Sequence, residues 1–233
     1  MKYARDYRYE AQTKTQPQIG NLVVIFLIYT VISVLINLTI KTGEVQNIMG
    51  LEVEMSSQPL SFLAIFVTGP FAYSLNMIAK KVDQEEKVEV KDLFYGFKNF
   101  GRSFIANIVM DIYITLWSLI SFGIIGIIKS FSFSMTYFLL EENKDLTINE
   151  AITLSRKLMD GNKWRLFCLL ISYIGWYFLA IFTLGILNLW IEPRVNQAKY
   201  IFFKEIYENS GRKVSSIKQN VIEVNSYTNN YSE

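Results

Sequence analysis

The feature that most constrains this chain is Gly20–Ile40, an almost unbroken run of apolar residues. An α-helix needs about 20 such residues to cross the hydrocarbon core of a bilayer, because each residue advances the helix by ~1.5 Å. Further runs of this kind follow before Phe203. The sequence therefore predicts a polytopic membrane protein made of helices.

Six segments are candidate membrane spans, and they fall into a strongly apolar group and a weaker group. The weaker segments contain charged residues, namely Lys129 in one and Glu192, Arg194 and Lys199 in the other. The predicted fold class is all-α, a transmembrane helical bundle of about six spans, or of four spans with two re-entrant or interfacial segments. The strong spans are Gly20–Ile40, Pro59–Ala79, Ser103–Phe122 and Leu166–Leu184, and the weak ones are Ile124–Leu140 and Ile186–Phe203.

The placement of the 23 Lys and Arg residues predicts the orientation. Most of them fall in segments on one side of the predicted membrane, whereas loop 41–57 on the other side contains Lys41 beside three glutamates. Because cytoplasmic loops are enriched in Lys and Arg, both termini are predicted to be cytoplasmic in a multi-pass protein of the cell membrane. The predicted domains are a cytoplasmic segment 1–19, a transmembrane domain 20–207 and a flexible cytoplasmic tail 208–233.

Residue composition argues against most catalytic chemistry. The chain is 51% hydrophobic, contains no histidine and has one cysteine, Cys168. Histidine triads, histidine-based zinc sites and cysteine metal clusters are therefore excluded. Glu141-Glu142 is similar to the start of an intramembrane protease motif, but Leu146 stands where that motif has arginine. We expect no enzyme, no cofactor, no metal and no nucleic-acid partner.

Four charged residues within the predicted spans form the candidate intramembrane polar site. Because an ionised side chain costs about 2.5–3.5 kcal/mol at the centre of a span, each is expected to have a partner or water. Counting from the cytoplasmic ends of straight helices, Asp111 and Arg194 fall at about the same depth, as do Lys129 and Glu192. The sequence predicts these two ion pairs, which would line an ion or substrate path or would simply hold three helices together.

Two cytoplasmic segments have helical apolar periodicity, Val90–Phe100 and Thr147–Asp160. Thr147 and Glu150 form a capping-box pattern that predicts a helix start. Each segment leads into a span through a basic–aromatic pair, and the pairs recur at one common offset along the chain. This recurrence indicates a duplicated unit or a chance match. The pairs are Arg102 with Phe104 and Arg165 with Phe167, and Tyr137 and Glu142 recur as Tyr200 and Glu205.

Several short motifs from Leu93 onward resemble one known family. They are Leu93-Phe94-x-Gly96-Phe97-Lys98, Gly126 to Lys129, Ser132 to Met135, Glu142-Asn143, Glu150-Ala151, Ser155-Arg156, Leu158-Met159-x-Gly161, Lys163-Trp164, Ile174-Gly175-Trp176 and Thr183-Leu184-Gly185. The chain is identified on these motifs as similar to the bacterial integral-membrane family called domain of unknown function 975. The resemblance implies a multi-span bacterial membrane protein and no particular activity. The chain departs from the family pattern at Arg194, because the family usually has a tyrosine after the proline.

Two functions are predicted from this combination. The first is a non-enzymatic integral membrane protein that binds or transports a small or lipidic ligand, with the lipid bilayer as its surroundings. Pro70 and Pro193 interrupt two spans, as in the broken helices of transporter sites, although plain proline kinks are also common. The alternative is a membrane scaffold or accessory subunit that docks a cytoplasmic protein through its amphipathic helices.

Overall fold

The structure is a computed structural model, and it describes the backbone of residues 2–36, 40–48, 51–57, 61–120 and 124–211, with side chains for 2–36, 64–119 and 126–211. Helices dominate the described chain. They are α1 (Ala4–Thr15), α2 (Ile19–Ile36), α3 (Ser61–Asp83), α4 (Tyr95–Lys98), α5 (Phe100–Ile120), α6 (Ile124–Phe133), α7 (Thr136–Glu142), α8 (Ile148–Leu158), α9 (Lys163–Ile171), α10 (Ile174–Phe182) and α11 (Asn188–Asn209), with 3-10 helices at Gln16–Gln18 and Val90–Phe94.

The connection predicted as loop 41–57 differs from a plain loop. It contains strands β1 (Ile40–Ile48) and β2 (Leu51–Ser57), which pair antiparallel with Ile48 opposite Leu51. Leu51 and Val53 alternate with Glu52 and Glu54, and this period of two favours a strand over a helix. The helical prediction is confirmed for the rest of the described chain, and the predicted tail from residue 212 onward lies outside it.

Two helical segments of the described chain are long and apolar enough to cross a membrane. Ala4–Ile36 joins α1 and α2, and Lys163–Phe182 joins α9 and α10. They include most of the predicted spans Gly20–Ile40 and Leu166–Leu184. Length and composition of two helices are by themselves weak evidence for membrane association.

Two predicted spans, Ile124–Leu140 and Leu166–Leu184, are not single helices. Ile124–Leu140 is divided into α6 and α7 by a turn at Ser134 and Met135. The Ser134 hydroxyl donates to the carbonyl of Phe131 at 2.7 Å, a local hydrogen bond that competes with the regular helix ladder. A similar break at Ser172 separates α9 from α10, where the serine hydroxyl donates to the carbonyl of Leu169 at 2.6 Å.

A buried core lies between α1, the second half of α3, α7, α8, α9 and the second half of α11. Phe138, Leu139 and Leu140 of α7 and Phe202 and Phe203 of α11 are almost completely excluded from solvent. A second cluster joins α2 to α3 and to the segment around Leu93. Gly96 lies under α3 at a distance where a Cβ atom would be 2.0 Å from the carbonyl oxygen of Pro70, so a residue with a side chain would force the helices apart.

The far ends of three helical hairpins expose large apolar side chains. The hairpins are α2 with α3, α5 with α6 and α7, and α9 and α10 with α11. Large exposed apolar surfaces are typical of proteins that contact a membrane, another protein or a ligand. The exposed side chains include Val31, Val34, Leu35, Ile65, Phe66, Ile112, Leu116, Leu119, Ile127, Ile128, Phe178, Leu179, Ile181, Phe182, Leu184 and Ile186.

The opposite end of each hairpin is closed by a basic side chain. Lys14, just before α2, pairs with Asp83 at the end of α3. Arg102, at the start of α5, donates to the carbonyl of Asn143 at 2.9 Å, at the end of α7. Arg165, at the start of α9, pairs with Glu205 near the end of α11 at 2.7 Å. Arg102 and Arg165 share the common offset found in the sequence, and their equivalent roles support the duplicated unit.

Asp83 is the most enclosed carboxylate of these closures, with a side chain 3% exposed between Lys14 and Lys204. Burial alone would raise its pKa, but hydrogen bonds from the two lysines outweigh burial and hold the pKa below its ordinary value. We expect Asp83→Asn to lower the free energy of unfolding by about 2 kcal/mol, because two lysines lose their shared counter-charge. Denaturation of the purified protein in detergent measures this.

The stability difference between wild type and Asp83→Asn depends on pH, and the direction of this dependence follows from the pKa of Asp83. Since the folded pKa of Asp83 is depressed, its contribution is complete above the unfolded pKa of about 4 and is lost as the pH falls through the folded pKa. Glu89→Gln is the matched control, because Glu89 pairs with Lys91 at an exposed site. Equal stability of the two variants at neutral pH would contradict the prediction.

Candidate functional site

Asp111 lies on the exposed side of α5. Its carboxylate accepts a hydrogen bond from the Asn107 amide at 2.7 Å, and the Asn107 carbonyl oxygen accepts one from the Tyr137 hydroxyl at 3.0 Å. Asp111 is therefore held by a neutral hydrogen-bonded chain between α5 and α7. No arginine takes part in this chain within the described residues.

Lys129 lies on α6 and faces an aromatic ring. Its ammonium nitrogen is 4.4 Å from the centre of the Trp117 ring on α5. A cation over the face of tryptophan is attracted by the negative charge of the ring face. This contact holds Lys129 within its own hairpin.

Glu192 and Arg194 lie on α11 and contact two different neighbouring segments. Glu192 accepts a hydrogen bond from the Tyr177 hydroxyl of α10 at 2.9 Å. The Arg194 guanidinium donates to the side-chain oxygen of Gln16 at 3.4 Å, next to the start of α2. Side chains one turn or less apart on one helix thus serve different contacts.

The two predicted ion pairs are not formed. Within the described residues, no ion pair joins Asp111 to Arg194 or Lys129 to Glu192. The prediction measured depth along straight helices, whereas the return leg of the second hairpin is broken at Ser134 and each charge finds a nearer polar or aromatic neighbour. Equal depth did not mean adjacency around the bundle.

A different site appears where α1 meets the third hairpin. A cavity of about 300 Å³ opens between α1, α10 and α11, and we call it the arginine pocket. Three guanidinium groups and two tryptophans line it, and none of the described carboxylates does. The lining residues are Arg5, Arg8, Tyr9, Gln12, Tyr173, Trp176, Leu187, Trp190, Ile191 and Arg194.

The arginines of this pocket are positioned by neutral groups. Arg8 donates to the carbonyl of Ser172 at 2.7 Å, an oxygen that the break between α9 and α10 leaves available. The same guanidinium lies 6.0 Å from the centre of the Tyr173 ring. The Nε atoms of Arg8 and Arg194 are buried and have no hydrogen-bond acceptor among the described residues.

Helix α1 also contributes to a second arginine cluster, in which the arginine is paired with a carboxylate. Arg165 donates to Glu205 at 2.7 Å and to the Tyr7 hydroxyl at 2.8 Å, while Tyr7 donates to Glu205 at 2.7 Å. Burial would raise the pKa of Glu205, but these hydrogen bonds lower it below its ordinary value. Burial and the carboxylate raise the pKa of Tyr7 well above its ordinary value. This cluster is saturated and has a structural role.

Sequence reasoning missed the arginine pocket because its cations come from distant parts of the chain. In the sequence, Arg5 and Arg8 contribute only to the predicted membrane orientation, and Arg194 is predicted to form an ion pair with Asp111. The spacing of Arg5 and Arg8, three residues apart on one helix face, was a usable signal. Among the described residues, no group of three His, Cys, Asp or Glu is placed to hold a metal ion.

Because Asp111 and Arg194 contact different neighbours, we predict that the two residues are not coupled energetically. In a double-mutant cycle of Asp111→Asn and Arg194→Gln, we expect a coupling energy within about 0.5 kcal/mol of zero, because the side chains share no contact. The control cycle, Arg165→Gln with Glu205→Gln, should give about 1–3 kcal/mol. Denaturation in detergent measures both cycles, and a coupling of Asp111 to Arg194 as large as the control would restore the predicted ion pair.

Comparison with known proteins identifies a family and nothing closer. No curated protein and no solved structure matches the chain. One family model, described as a protein of unknown function, DUF975, matches residues 1–128 and 119–210. The match thus includes the first two apolar segments as well as the part that carries the motifs. The chain belongs to the DUF975 family.

Proposed function

We propose that this protein is a multi-pass integral membrane protein, not an enzyme, that binds a small or lipidic ligand in the arginine pocket. The observation that carries the proposal is the position of the pocket, between the charged, well-packed end of the molecule and the exposed apolar ends of its hairpins. A site at such a boundary suits a ligand with one polar and one apolar part. Six membrane passages, with both termini cytoplasmic, belong to the same proposal.

Aromatic side chains support this placement of the boundary. Phe100 stacks on Phe104 with ring centres 5.2 Å apart, next to Arg102. Trp164 lies 5.0 Å from Phe167, next to Arg165. Aromatic rings and basic side chains are enriched where a membrane meets water. These pairs fall at the closed ends of two hairpins, which we assign to the cytoplasmic interface.

The scaffold alternative has less support from the packing. It needs the apolar faces of the amphipathic segments to be free for a partner. The apolar face of α8, with Ala151, Ile152, Leu154 and Leu158, is instead buried in the main core. Of the other segment, Leu93 is buried while Phe94 and Phe97 are partly exposed beside Phe71, an arrangement that equally fits the headgroup region.

The membrane topology is tested by cysteine labelling in intact cells. In a Cys168→Ala background, Asn47→Cys should react with a membrane-impermeant maleimide from outside. Lys144→Cys and Glu208→Cys should react only after the cells are permeabilised, because they lie at the charged end of the bundle. Labelling of Lys144→Cys in intact cells would exclude the proposed orientation.

Ligand binding is tested by filling the cavity. Leu187→Trp adds bulk at the wall of the arginine pocket, so we expect the purified full chain to lose the lipid adducts that wild type retains in native mass spectrometry. Ile174→Trp is the matched control, because this residue lies on α10, is 63% exposed and does not line the pocket. Retention of the same adducts by Leu187→Trp would contradict ligand binding at this site.

A further inference from the structure

The charge of the arginine pocket is not compensated within the described part of the chain. Arg5 has no ion pair or hydrogen bond there, Arg8 donates to a backbone carbonyl, and Arg194 donates to a neutral amide. The nearest acids on α1 are engaged elsewhere. Asp6 accepts from the backbone of Tyr3, and Glu10 pairs with Lys2 and Lys14. Three positive charges therefore face one cavity without an internal counter-ion.

Several other cations of the described chain are compensated by carboxylates. Lys14, Lys80, Lys81, Arg165 and Lys204 each pair with a carboxylate. A buried donor without an acceptor costs free energy, and the Nε atoms of Arg8 and Arg194 are two such donors beside this pocket. An occupant with several acceptor oxygens and negative charge would accept hydrogen bonds from these arginines and balance the three positive charges.

The geometry of the guanidinium groups and the other residues that line the arginine pocket further restrict the kind of ligand it can bind. A planar guanidinium matches two oxygens of a phosphate group and binds them through paired N–H donors. Trp176 and Trp190 stand beside the arginines, and each is partly exposed. Leu187 and Ile191 supply an apolar wall of the same cavity. Oxyanion and hydrocarbon are therefore both accommodated, at adjacent positions.

We propose that the arginine pocket binds a phosphate monoester, with Arg5, Arg8 and Arg194 around the phosphate and the tryptophans against the attached group. The phosphate is presented by a lipid headgroup or by a soluble phosphate ester, since both offer the same oxyanion. The proposal rests on the ligand-binding function proposed above and adds the identity of the polar group.

The experiment compares two lipids that differ only in the phosphate. The full chain, purified in a neutral detergent, is offered phosphatidic acid and diacylglycerol with identical acyl chains, and native mass spectrometry counts the bound lipid. We expect phosphatidic acid to be retained at least about tenfold better than diacylglycerol. Arg8→Gln and Arg194→Gln should each reduce that retention about tenfold, because each removes a charge-assisted donor.

The matched control is Arg156→Gln, which removes an exposed arginine of α8 that lies outside the pocket and should leave retention unchanged. A second arm titrates inorganic phosphate. Displacement of phosphatidic acid by inorganic phosphate confirms a shared phosphate site. Binding of inorganic phosphate without retention of phosphatidic acid identifies a soluble ester as the ligand.

A measurement on wild type guards against variants that fail to fold. Phenylglyoxal modifies accessible arginines, and inorganic phosphate or phosphatidic acid should slow its reaction at Arg5, Arg8 and Arg194 but not at Arg156. Equal retention of both lipids, together with no protection of the three arginines, would overturn the proposal. If Leu187→Trp still abolished lipid adducts in that case, ligand binding would stand and only the phosphate assignment would fail.

Discussion

The rest of this structure depends on the closure of each helical hairpin at its charged end. At that end Lys14 contacts Asp83, Arg102 contacts the end of α7, and Arg165 contacts Glu205, so that the two legs of each of the three hairpins are joined. The opposite ends of the hairpins expose large apolar side chains. Each hairpin therefore has one end held by polar contacts and an opposite end with exposed apolar side chains.

Helix α1 takes part both in the contacts that close the hairpins and in the lining of the arginine pocket. One side of it contributes Tyr7 to the Arg165 cluster and Lys14 to Asp83, which fixes its position against α11. Arg5 and Arg8 then face the third hairpin, where the break at Ser172 leaves a carbonyl for Arg8. The pocket is therefore a consequence of how α1 is anchored. Its cations remain without carboxylates because the acids of α1 have other partners: Asp6 accepts from the backbone of Tyr3, and Glu10 pairs with Lys2 and Lys14.

The charged residues of the predicted spans show how a chain can accommodate polar groups locally. Asp111 is held by an amide, Lys129 by an indole ring and Glu192 by a phenol. Each contact is made within a hairpin or between adjoining helices of one. One contact lies within a single helix, and the other two join the neighbouring helices of one hairpin. None of the three requires helices of different hairpins to be in register, as the predicted ion pairs would.

The helical segments, the family and the capping of α8 can be predicted from the sequence, because apolar periodicity, local motifs and cap residues act over a few turns of chain. Thr147 and Glu150, for example, form the predicted capping box. The break at Ser134, the hairpin at β1 and β2, and the partners of Asp111 and Arg194 depend instead on tertiary packing. The arginine pocket belongs to this second group, since Arg5 and Arg194 meet through packing of α1 on α11. Rotation of helices about their axes and their neighbours around the bundle are set by long-range packing, and no short stretch of sequence encodes them.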